Sequence, residues 1–324
     1  MTEPILKVKD LQKLFPIQGG GLFNRVVGNV RAVDGLNLEV FPGETLGLVG
    51  ESGCGKSTAG RAMLRLIEPT AGSIEFNGQD ITNLKKKDLV PLRREMQMIF
   101  QDPFSSLNPR HTIGDIIGAP FRVQGVKPEG GIMKAVQGLM DRVGLNPEHY
   151  NRYPNEFSGG QRQRIGIARA IALKPKLIVC DEPVSALDVS IQAQIINLMK
   201  DLQKDFGLTF VFIAHDLAVV RHFAQRVAVM YLGNIVEITD RDSLYSNPKH
   251  PYTKALLSAV PEADPDAVGA RERIRLTGDV PNPINPPSGC RFRTRCWKAQ
   301  EVCATTPPQL LQVGKSSVAC HFPE

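Results

Sequence analysis

The chain has 324 residues, a formal net charge of +6, 42% hydrophobic residues and 22% charged residues, the composition of an ordinary globular protein. This length favours one large domain with an extension, or two domains. No apolar run approaches the about 18 residues that span a membrane, and the N-terminus has no signal-peptide pattern. Lys and Arg form no block dense enough to indicate nucleic acid. We therefore expect a cytosolic protein with anionic ligands and no nucleic-acid partner, which would serve a membrane only from its surface.

The first 40 residues predict a small antiparallel β layer. Residues 5–11 alternate between apolar and polar side chains, which is typical of a half-buried strand. A glycine-rich stretch at residues 19–28 is predicted to be an irregular insertion. Residues 30–40 are predicted to form two strands that turn at Asp34 and Gly35. These three strands would lie beside the α/β sheet that the rest of the chain predicts.

A phosphate-binding loop follows. Residues 50–58 fit the pattern G-x-x-x-x-G-K-[ST], and they lie between an apolar strand at residues 45–49 and a segment with helical spacing. Glycines let the backbone approach anionic oxygens, and the first turn of a helix offers unpaired N–H groups and the positive end of its dipole. Lys56 would bind the β- and γ-phosphates, and Ser57 would bind Mg²⁺. The sequence therefore predicts a nucleoside triphosphate site formed by Gly50, Glu51, Ser52, Gly53, Cys54, Gly55, Lys56, Ser57 and Thr58.

Three later apolar runs, each predicted to be a buried strand, end at polar side chains. These side chains are Gln101, the pair Asp181 and Glu182, and His215. Buried carboxylates are costly unless they meet cations or take part in chemistry, so we expect Asp181 to hold Mg²⁺ and Glu182 to polarise a water. Because ligands bind at the carboxyl ends of parallel strands, these residues are predicted to share one edge of a sheet.

A helical insertion is predicted between these strands, at about residues 102–160. At its end, a Ser-Gly-Gly-Gln motif comes directly before a predicted helix at residues 162–173. Glycines at the start of a helix offer a second anion site in the same chain. The motif consists of Ser158, Gly159, Gly160 and Gln161.

In order along the chain, six motifs resemble those of the ATP-binding cassette ATPases. They are the phosphate loop at residues 50–57, Gln101, the motif at residues 158–161, the run at residues 177–182, the turn at residues 185–188, and His215. Longer stretches are similar to the dipeptide and oligopeptide importer ATPases, and within them most of all to the F subunit of dipeptide importers. Those stretches are residues 50–58, 99–103, 106–110, 181–190 and 250–257, and the resemblance covers essentially the whole chain.

The resemblance implies a role for each matching position. Phe15 would stack on the adenine, where many relatives have Tyr, and Lys56 would bind the phosphates. Glu182 would be the general base, His215 would contact the γ-phosphate and position the water, and Gln101 would sense the metal and the water. The implied catalytic residues are Glu182, His215, Gln101 and Lys56, and the implied Mg²⁺ ligands are Ser57, Gln101 and Asp181.

The resemblance also implies partners. ATP would close a head-to-tail dimer with a second, non-identical ATPase subunit, and hydrolysis would release it. Two membrane-spanning permeases would dock on residues 101–157, and a periplasmic or lipid-anchored peptide-binding protein would act indirectly. The chain would therefore be peripheral on the cytoplasmic face of the bacterial inner membrane. The residues implied to meet the partner's nucleotide are Ser158, Gly159, Gly160, Gln161 and Asp188.

The last 35 residues contain four of the six cysteines, with the spacing C-x5-C-x6-C-x16-C. In a reducing compartment such a cluster indicates a metal centre before disulfides, but this spacing matches no common zinc or ferredoxin pattern. Basic residues (Arg291, Arg293, Arg295 and Lys298) are expected to balance the thiolate charge. The resemblance favours a [4Fe–4S] cluster; zinc, with His321 as a spare ligand, and reduced cysteines without metal are the alternatives. The four residues are Cys290, Cys296, Cys303 and Cys320.

We therefore predict an α/β fold of the cassette type, with a mixed sheet flanked by helices, an antiparallel β layer and a helical subdomain at about residues 102–160. Residues 1–240 would form the nucleotide-binding domain, and residues 241–324 a C-terminal extension with the four-cysteine site. The expected activity is ATP hydrolysis that drives import of dipeptides or oligopeptides, with ATP, Mg²⁺ and a [4Fe–4S] cluster as cofactors. One alternative is an importer of another solute, such as nickel or a glutathione-like peptide. The other is a non-transport cassette ATPase of translation or repair.

Overall fold

The structure is a computed structural model that describes residues 3–19, 25–102, 106–260 and 274–324. It consists of two compact units. Unit 1 comprises Met1–Ile5, Phe41–Glu44 and Asn83–Ile213, and unit 2 comprises Leu6–Val40, Thr45–Thr82 and Ala214–Glu324. In the described ranges, no helix is both long enough and apolar enough to cross a membrane.

The regular elements, numbered along the chain, have the following bounds. The strands are β1 Leu6–Gln18, β2 Val26–Val40, β3 Thr45–Val49, β4 Ala71–Phe76, β5 Gln79–Asp80, β6 Met96–Ile99, β7 Leu177–Asp181, β8 Thr209–Ala214, β9 Arg226–Tyr231, β10 Asn234–Asp240, β11 Leu311–Val313 and β12 Ser316–Val318. The helices are α1 Lys56–Met63, α2 Lys86–Leu89, α3 Ile113–Val123, α4 Gly131–Arg142, α5 Gly159–Ile171, α6 Val189–Phe206, α7 Leu217–Phe223, α8 Arg241–Ser246, α9 Pro251–Ser258 and α10 Glu301–Thr305.

Unit 2 contains the predicted antiparallel layer, in the strand order β2-β1-β4-β5. The prediction of a turn at Asp34 and Gly35 is wrong, because β2 is one continuous strand along β1. The register shifts where Leu11 faces Leu36 and Gln12 faces Asp34, so Gly35 is the extra residue of a bulge, with a φ of 92°. A bulge absorbs one residue and lets the strand continue.

The glycine-rich insertion is shorter than predicted. Gln18 pairs with Val26 and Ile17 pairs with Gly28, so the hairpin extends into the stretch that the sequence predicts to be irregular. The middle of that stretch, residues 20–24, lies outside the described residues.

A second sheet of unit 2 has the order β11-β12-β10-β9-β3. Strand β3 pairs with β9 in parallel, and β9 and β10 form an antiparallel hairpin, as the turn at Gly233 between two apolar runs indicates. The C-terminal hairpin of β11 and β12 continues this sheet, since Val318 pairs with Glu237 of β10. The extension therefore shares a sheet with the strand that leads into the phosphate loop.

Unit 1 contains the parallel strands β6, β7 and, up to Ile213, β8, with β7 in the middle. Every residue of β7 and β8 is buried, as the continuous apolar runs predict for strands covered on both faces. The predicted helical insertion is confirmed for the described residues: α3 packs against α4 and α5. Helix α6 continues to Phe206, and Met199 and Leu202 prolong its buried face.

The extension in unit 2 has little regular structure. Its first part forms two short helices, α8 and α9, which are separated at the Asn-Pro and His-Pro steps of the sequence. A proline-rich stretch leads to Cys290, and the carbonyl of Pro283 accepts a hydrogen bond from Arg31 of β2 at 3.1 Å. An aromatic group of Tyr231, Tyr252, Phe292 and His250 forms the core here, with ring centroids 4.7–5.7 Å apart.

Candidate functional site

The phosphate loop connects β3 to α1 in unit 2, as predicted. Gly55, the residue before α1, has a φ of 105°, and a Cβ there would lie 1.9 Å from the carbonyl oxygen of Ala32. At Gly50 a Cβ would lie 2.2 Å from the carbonyl oxygen of Met230. Both positions therefore require glycine. No side chain caps α1, and its first turn has no acidic residue, as an anion site requires.

Lys56 is buried, with its ammonium folded back over the loop. Its Nζ donates to the carbonyl oxygens of Gly50, at 2.8 Å, and Glu51, at 3.0 Å. Both acceptors are neutral carbonyl oxygens, so neither of these contacts neutralises the positive charge of Lys56. A triphosphate in the loop would meet that charge directly.

Glu51 itself has two further partners. Its carboxylate forms a bidentate ion pair with Arg295, and its backbone N–H donates to the hydroxyl of Tyr252 at 2.9 Å. The sequence reasoning missed both partners. The only signal was indirect: Tyr252 lies in a stretch with family resemblance, and Arg295 is among the basic residues next to the cysteines.

Phe15 and His215, both in unit 2, are exposed. The ring of Phe15 is 41% exposed on β1, with the ammonium of Lys13 5.1 Å from its centroid. An exposed ring is available for stacking on a base. His215 comes directly after β8, and the next residue, Asp216, caps α7 by accepting from the N–H of Ala218 at 2.7 Å.

In unit 1 the structure brings Gln101 and Glu182 together. The amide of Gln101, which follows β6 by two residues, donates to the carboxylate of Glu182 at 3.1 Å. Glu182 has a φ of 45°, a left-handed conformation that costs energy for a residue with a side chain. Such strain concentrates at functional sites. The preceding residue, Asp181, is fully buried at the end of β7.

The Ser-Gly-Gly-Gln motif begins α5 with a capping box. The Ser158 hydroxyl accepts from the N–H of Gln161 at 3.4 Å, and the Gln161 side chain accepts from the N–H of Ser158 at 3.0 Å. The hydroxyl proton of Ser158 stays available to donate to an anion. Gly160 has a packing role, since a Cβ there would lie 2.7 Å from Cγ2 of Ile191. Gly159 has more room, because a Cβ there would lie 3.6 Å from Cδ2 of Leu187.

Asp188 is the N-cap residue of α6, but its carboxylate accepts no capping hydrogen bond from the helix. It is exposed, and Val189 beside it is 82% exposed. An N-cap carboxylate normally bonds to the first turn of its helix. The carboxylate of Asp188 therefore has no capping role in α6.

The four C-terminal cysteines line one small cavity in unit 2, together with His250, His321 and neighbouring residues. Its volume is about 10 Å³, room for roughly one water molecule. All six cysteines are free. Within the described part of the chain, no three His, Cys, Asp or Glu side chains are grouped so that they could hold a metal ion. The expected spare ligand His321 has its Nε2 2.9 Å from the carbonyl oxygen of Thr306.

Backbone amides approach these thiols in a repeated pattern. The N–H of Lys298 donates to Sγ of Cys296, and the N–H of Phe322 donates to Sγ of Cys320, both at 3.4 Å. Burial raises the pKa of Cys290 to about 11, and burial likewise raises the pKa of Cys296 and of Cys320. For each thiol, the hydrogen bond from the backbone N–H two residues later lowers the pKa and so opposes the effect of burial. For Cys290 that N–H belongs to Phe292.

All four basic residues expected to balance the thiolates have other partners, and that of Lys298 is the carboxylate of Glu324 at 3.0 Å. Arg291 bonds to the carboxylate of Asp34 and to the carbonyl oxygen of Leu232, and Arg295 bonds to Glu51. Arg293 bonds to Ser288 in its own segment. Lys298 lowers the pKa of Cys296 and of Cys320. The expectation is therefore wrong for Arg291 and Arg295, which connect the cysteine-bearing segment to β2, to the turn after β9 and to the loop at residues 50–58.

Two family profiles match the chain. Residues 33–185 match the ABC transporter family, and residues 236–303 match the C-terminal region of oligopeptide/dipeptide transporters. The chain is 56% identical to the oligopeptide transport ATP-binding protein AppF of Bacillus subtilis (strain 168), over 99% of this chain and 98% of that protein. It is 52% identical to the oligopeptide transport ATP-binding protein OppF of Salmonella typhimurium, over 98% and 95% of the two chains.

Solved structures are similar over a smaller part of the chain. The ATP-binding cassette MJ0796, solved as a dimer in a post-hydrolysis state with ADP and phosphate, superposes with a TM-score of 0.64. The match covers 73% of this chain and 98% of that one, at 28% identity.

Proposed function

Because the chain belongs to the ABC transporter family, among its oligopeptide transport ATP-binding proteins, we propose that it drives the import of dipeptides or oligopeptides across the bacterial cytoplasmic membrane. It is an ABC-type ATPase subunit. The observation that carries the peptide assignment is the match of residues 236–303 to a region named for oligopeptide and dipeptide transporters. The subunit would be peripheral, on the cytoplasmic face of the inner membrane.

The phosphate loop and the strand ends supply the groups that ATP hydrolysis needs. Lys56 and the loop amides would bind the phosphates, and the ring of Phe15 would stack on the adenine. Glu182 would take a proton from the attacking water while the γ-phosphoryl group passes to the water oxygen and ADP leaves. Gln101 would orient that water from its hydrogen bond to Glu182. His215 would contact the γ-phosphate.

The residues implied to bind Mg²⁺ all offer oxygen atoms as ligands. Ser57, in the first turn of α1, supplies a hydroxyl, Asp181 supplies a fully buried carboxylate, and Gln101 supplies an amide oxygen. Magnesium prefers hard oxygen ligands of this kind. When bound, the ion neutralises phosphate charge.

We infer a dimer with a second ATPase subunit, in which the Ser-Gly-Gly-Gln motif serves the partner's nucleotide. The hydroxyl of Ser158 keeps a proton that it can donate. Asp188 is exposed and does not cap its own helix, and the neighbouring Val189 is exposed as well. The similar cassette MJ0796 is itself dimeric. Two permeases would dock on residues 101–157, and a peptide-binding protein outside the membrane would select the solute.

We also propose a cysteine-ligated [4Fe–4S] cluster in the extension. The donor set fits: four thiols face one cavity, and three accept N–H bonds from the amide two residues on, which favour the thiolate form. Thiolates on one zinc ion lie about 3.8 Å apart, given a Zn–S distance of about 2.3 Å. In the described part of the chain the thiols are not grouped closely enough to hold one metal ion, and the larger cluster would be held by thiols that lie farther apart. The four side chains would have to open around it, because the cavity is small.

Anaerobic purification tests the cluster. We expect a brown protein with four irons and four acid-labile sulfides per chain, and their loss in Cys303→Ala. A colourless protein with one zinc per chain would overturn the cluster and support zinc. A protein with neither would leave reduced cysteines as the state of this site.

Co-purification tests the transport function. We expect the tagged chain to be recovered with a second ATPase subunit and two polytopic membrane proteins, and ATP-dependent uptake of a labelled dipeptide by vesicles that contain the complex and its binding protein. Uptake of nickel or a glutathione-like peptide in place of dipeptides would place the chain with importers of another solute. Recovery with ribosomes or DNA instead of membrane proteins would overturn the transport function.

A further inference from the structure

The extension contacts the phosphate loop through a partly buried ion pair. Nη1 of Arg295 lies 2.7 Å from Oε2 of Glu51, and Nη2 lies 3.1 Å from Oε1. The Arg295 side chain is 7% exposed and that of Glu51 is 26% exposed. Bidentate pairs of this kind fix geometry as well as adding energy, and little water competes for this one. The pair joins positions 244 residues apart in the sequence.

A second contact holds the backbone of the same loop residue. The N–H of Glu51 donates to the hydroxyl of Tyr252, whose side chain is fully buried. Tyr252 packs against Phe292, with ring centroids 5.4 Å apart, and Phe292 lies three positions before Arg295. Both contacts with Glu51 therefore come from the extension, and the same aromatic core supports them.

Glu51 in turn sets the resting position of the lysine that would bind the triphosphate. Its carbonyl oxygen accepts from Nζ of Lys56 at 3.0 Å and from the N–H of Cys54 at 3.3 Å. Every polar group of Glu51 is thus engaged: the carboxylate and the N–H with the extension, the carbonyl oxygen with the loop. A rotation of the Glu51 backbone would displace the acceptor that holds the ammonium of Lys56.

We propose that Arg295 is a positioning residue for the ATPase reaction: through Glu51 it holds the phosphate loop and Lys56 in the geometry that receives ATP. This inference rests on the proposed role of residues 50–58 as the phosphate-binding loop. ATP affinity then depends on a segment that lies far from the loop in sequence and between two of the cysteines. Arg293 offers a matched control, because it belongs to the same segment and, among the described residues, its side chain donates hydrogen bonds only to Ser288.

The test uses the intact transporter and measures KM for ATP, kcat, and the Kd of a fluorescent ATP analogue. For Arg295→Gln we expect KM and Kd to rise about tenfold, as for a lost hydrogen bond to a charged group, while kcat changes less than about threefold. Arg295→Lys should recover part of the affinity, and Arg293→Gln should match the parent protein. Glu51→Gln should weaken binding similarly, and the double variant Glu51→Gln/Arg295→Gln should add little, because both changes remove one interaction.

Three results separate the possible failures. Unchanged Kd and KM in Arg295→Gln would overturn the inference, even if its Tm falls, because a purely structural contact would lower Tm alone. Should Arg295→Gln fail to fold, Glu51→Gln decides, and parent-like affinity there would overturn the inference. ATP binding that survives in Lys56→Ala would instead refute the phosphate-loop assignment on which the proposed function depends.

Discussion

Tyr252→Phe removes a single hydroxyl behind the phosphate loop and leaves the aromatic core in place. The hydroxyl accepts the N–H of Glu51 at 2.9 Å in a partly buried position. A buried donor left without its partner costs about 1–3 kcal/mol, and partial access to water favours the lower half of that range. We therefore expect a loss of about 1–2 kcal/mol in the free energy of unfolding, together with weaker ATP binding because the Glu51 backbone gains freedom.

The size of the thermal effect follows from the chain length. Unfolding entropy of about 2.1 cal/mol/K per residue over 324 residues gives roughly 0.7 kcal/mol/K, so this loss lowers Tm by about 1.5–3 °C. Differential scanning calorimetry with and without ATP measures it, and ATP should stabilise the variant less than the parent. Thr82→Val is the control away from the loop, since it removes a hydroxyl that accepts from the N–H of Ile74 at 2.7 Å and donates to the carbonyl oxygen of Ile74 at 3.3 Å. Equal ATP stabilisation of Tyr252→Phe and Thr82→Val would refute the reasoning.

Glu182→Gln should lower kcat by about 10²–10⁴ without weakening ATP binding, because the amide cannot accept the proton of the attacking water; steady-state turnover near the parent rate would contradict this. Gly160→Ala places a Cβ 2.7 Å from Cγ2 of Ile191 and should cost about 1–3 kcal/mol in urea unfolding. Adding Ile191→Val should recover part of that loss, and no recovery would argue against the clash. Gly55→Ala should abolish ATP binding by equilibrium dialysis, because its Cβ would overlap the carbonyl oxygen of Ala32 at 1.9 Å. Parent-like binding would show that the loop can rearrange.

Local patterns predicted the elements whose structure is decided locally. The loop of residues 50–58 and its flanking strand and helix follow from glycine, lysine and apolar spacing. The buried strands β7 and β8 follow from continuous apolar runs, since a strand covered on both faces has no polar side. The hairpin of β9 and β10 follows from the turn at Gly233 between two apolar runs. These features carry their own signals within about ten residues.

Features that depend on a distant partner were not predictable. The sequence around Asp34 and Gly35 has the chemistry of a turn, but β1 pairs with both sides of it and a bulge absorbs the extra residue. The left-handed backbone of Glu182 is likewise invisible in the sequence, because glutamate seldom adopts it. The basic residues near the cysteines favoured a role in balancing thiolate charge, and only the fold shows that Arg291 and Arg295 bind elsewhere.

The phosphate loop depends on two supports within unit 2, and they differ in kind. The strand pair β9 and β10 supports the loop through backbone groups. The carbonyl oxygen of Met230 lies against Gly50, and the N–H of Gly233 donates to the carbonyl oxygen of Cys54 at 2.9 Å. The extension supports it through side chains, the hydroxyl of Tyr252 and the guanidinium of Arg295. Backbone contacts survive most substitutions, whereas side-chain contacts can be lost or moved. A change in the extension that displaces Arg295 would therefore reach Lys56 through one residue, Glu51, while the sheet beneath the loop stays intact.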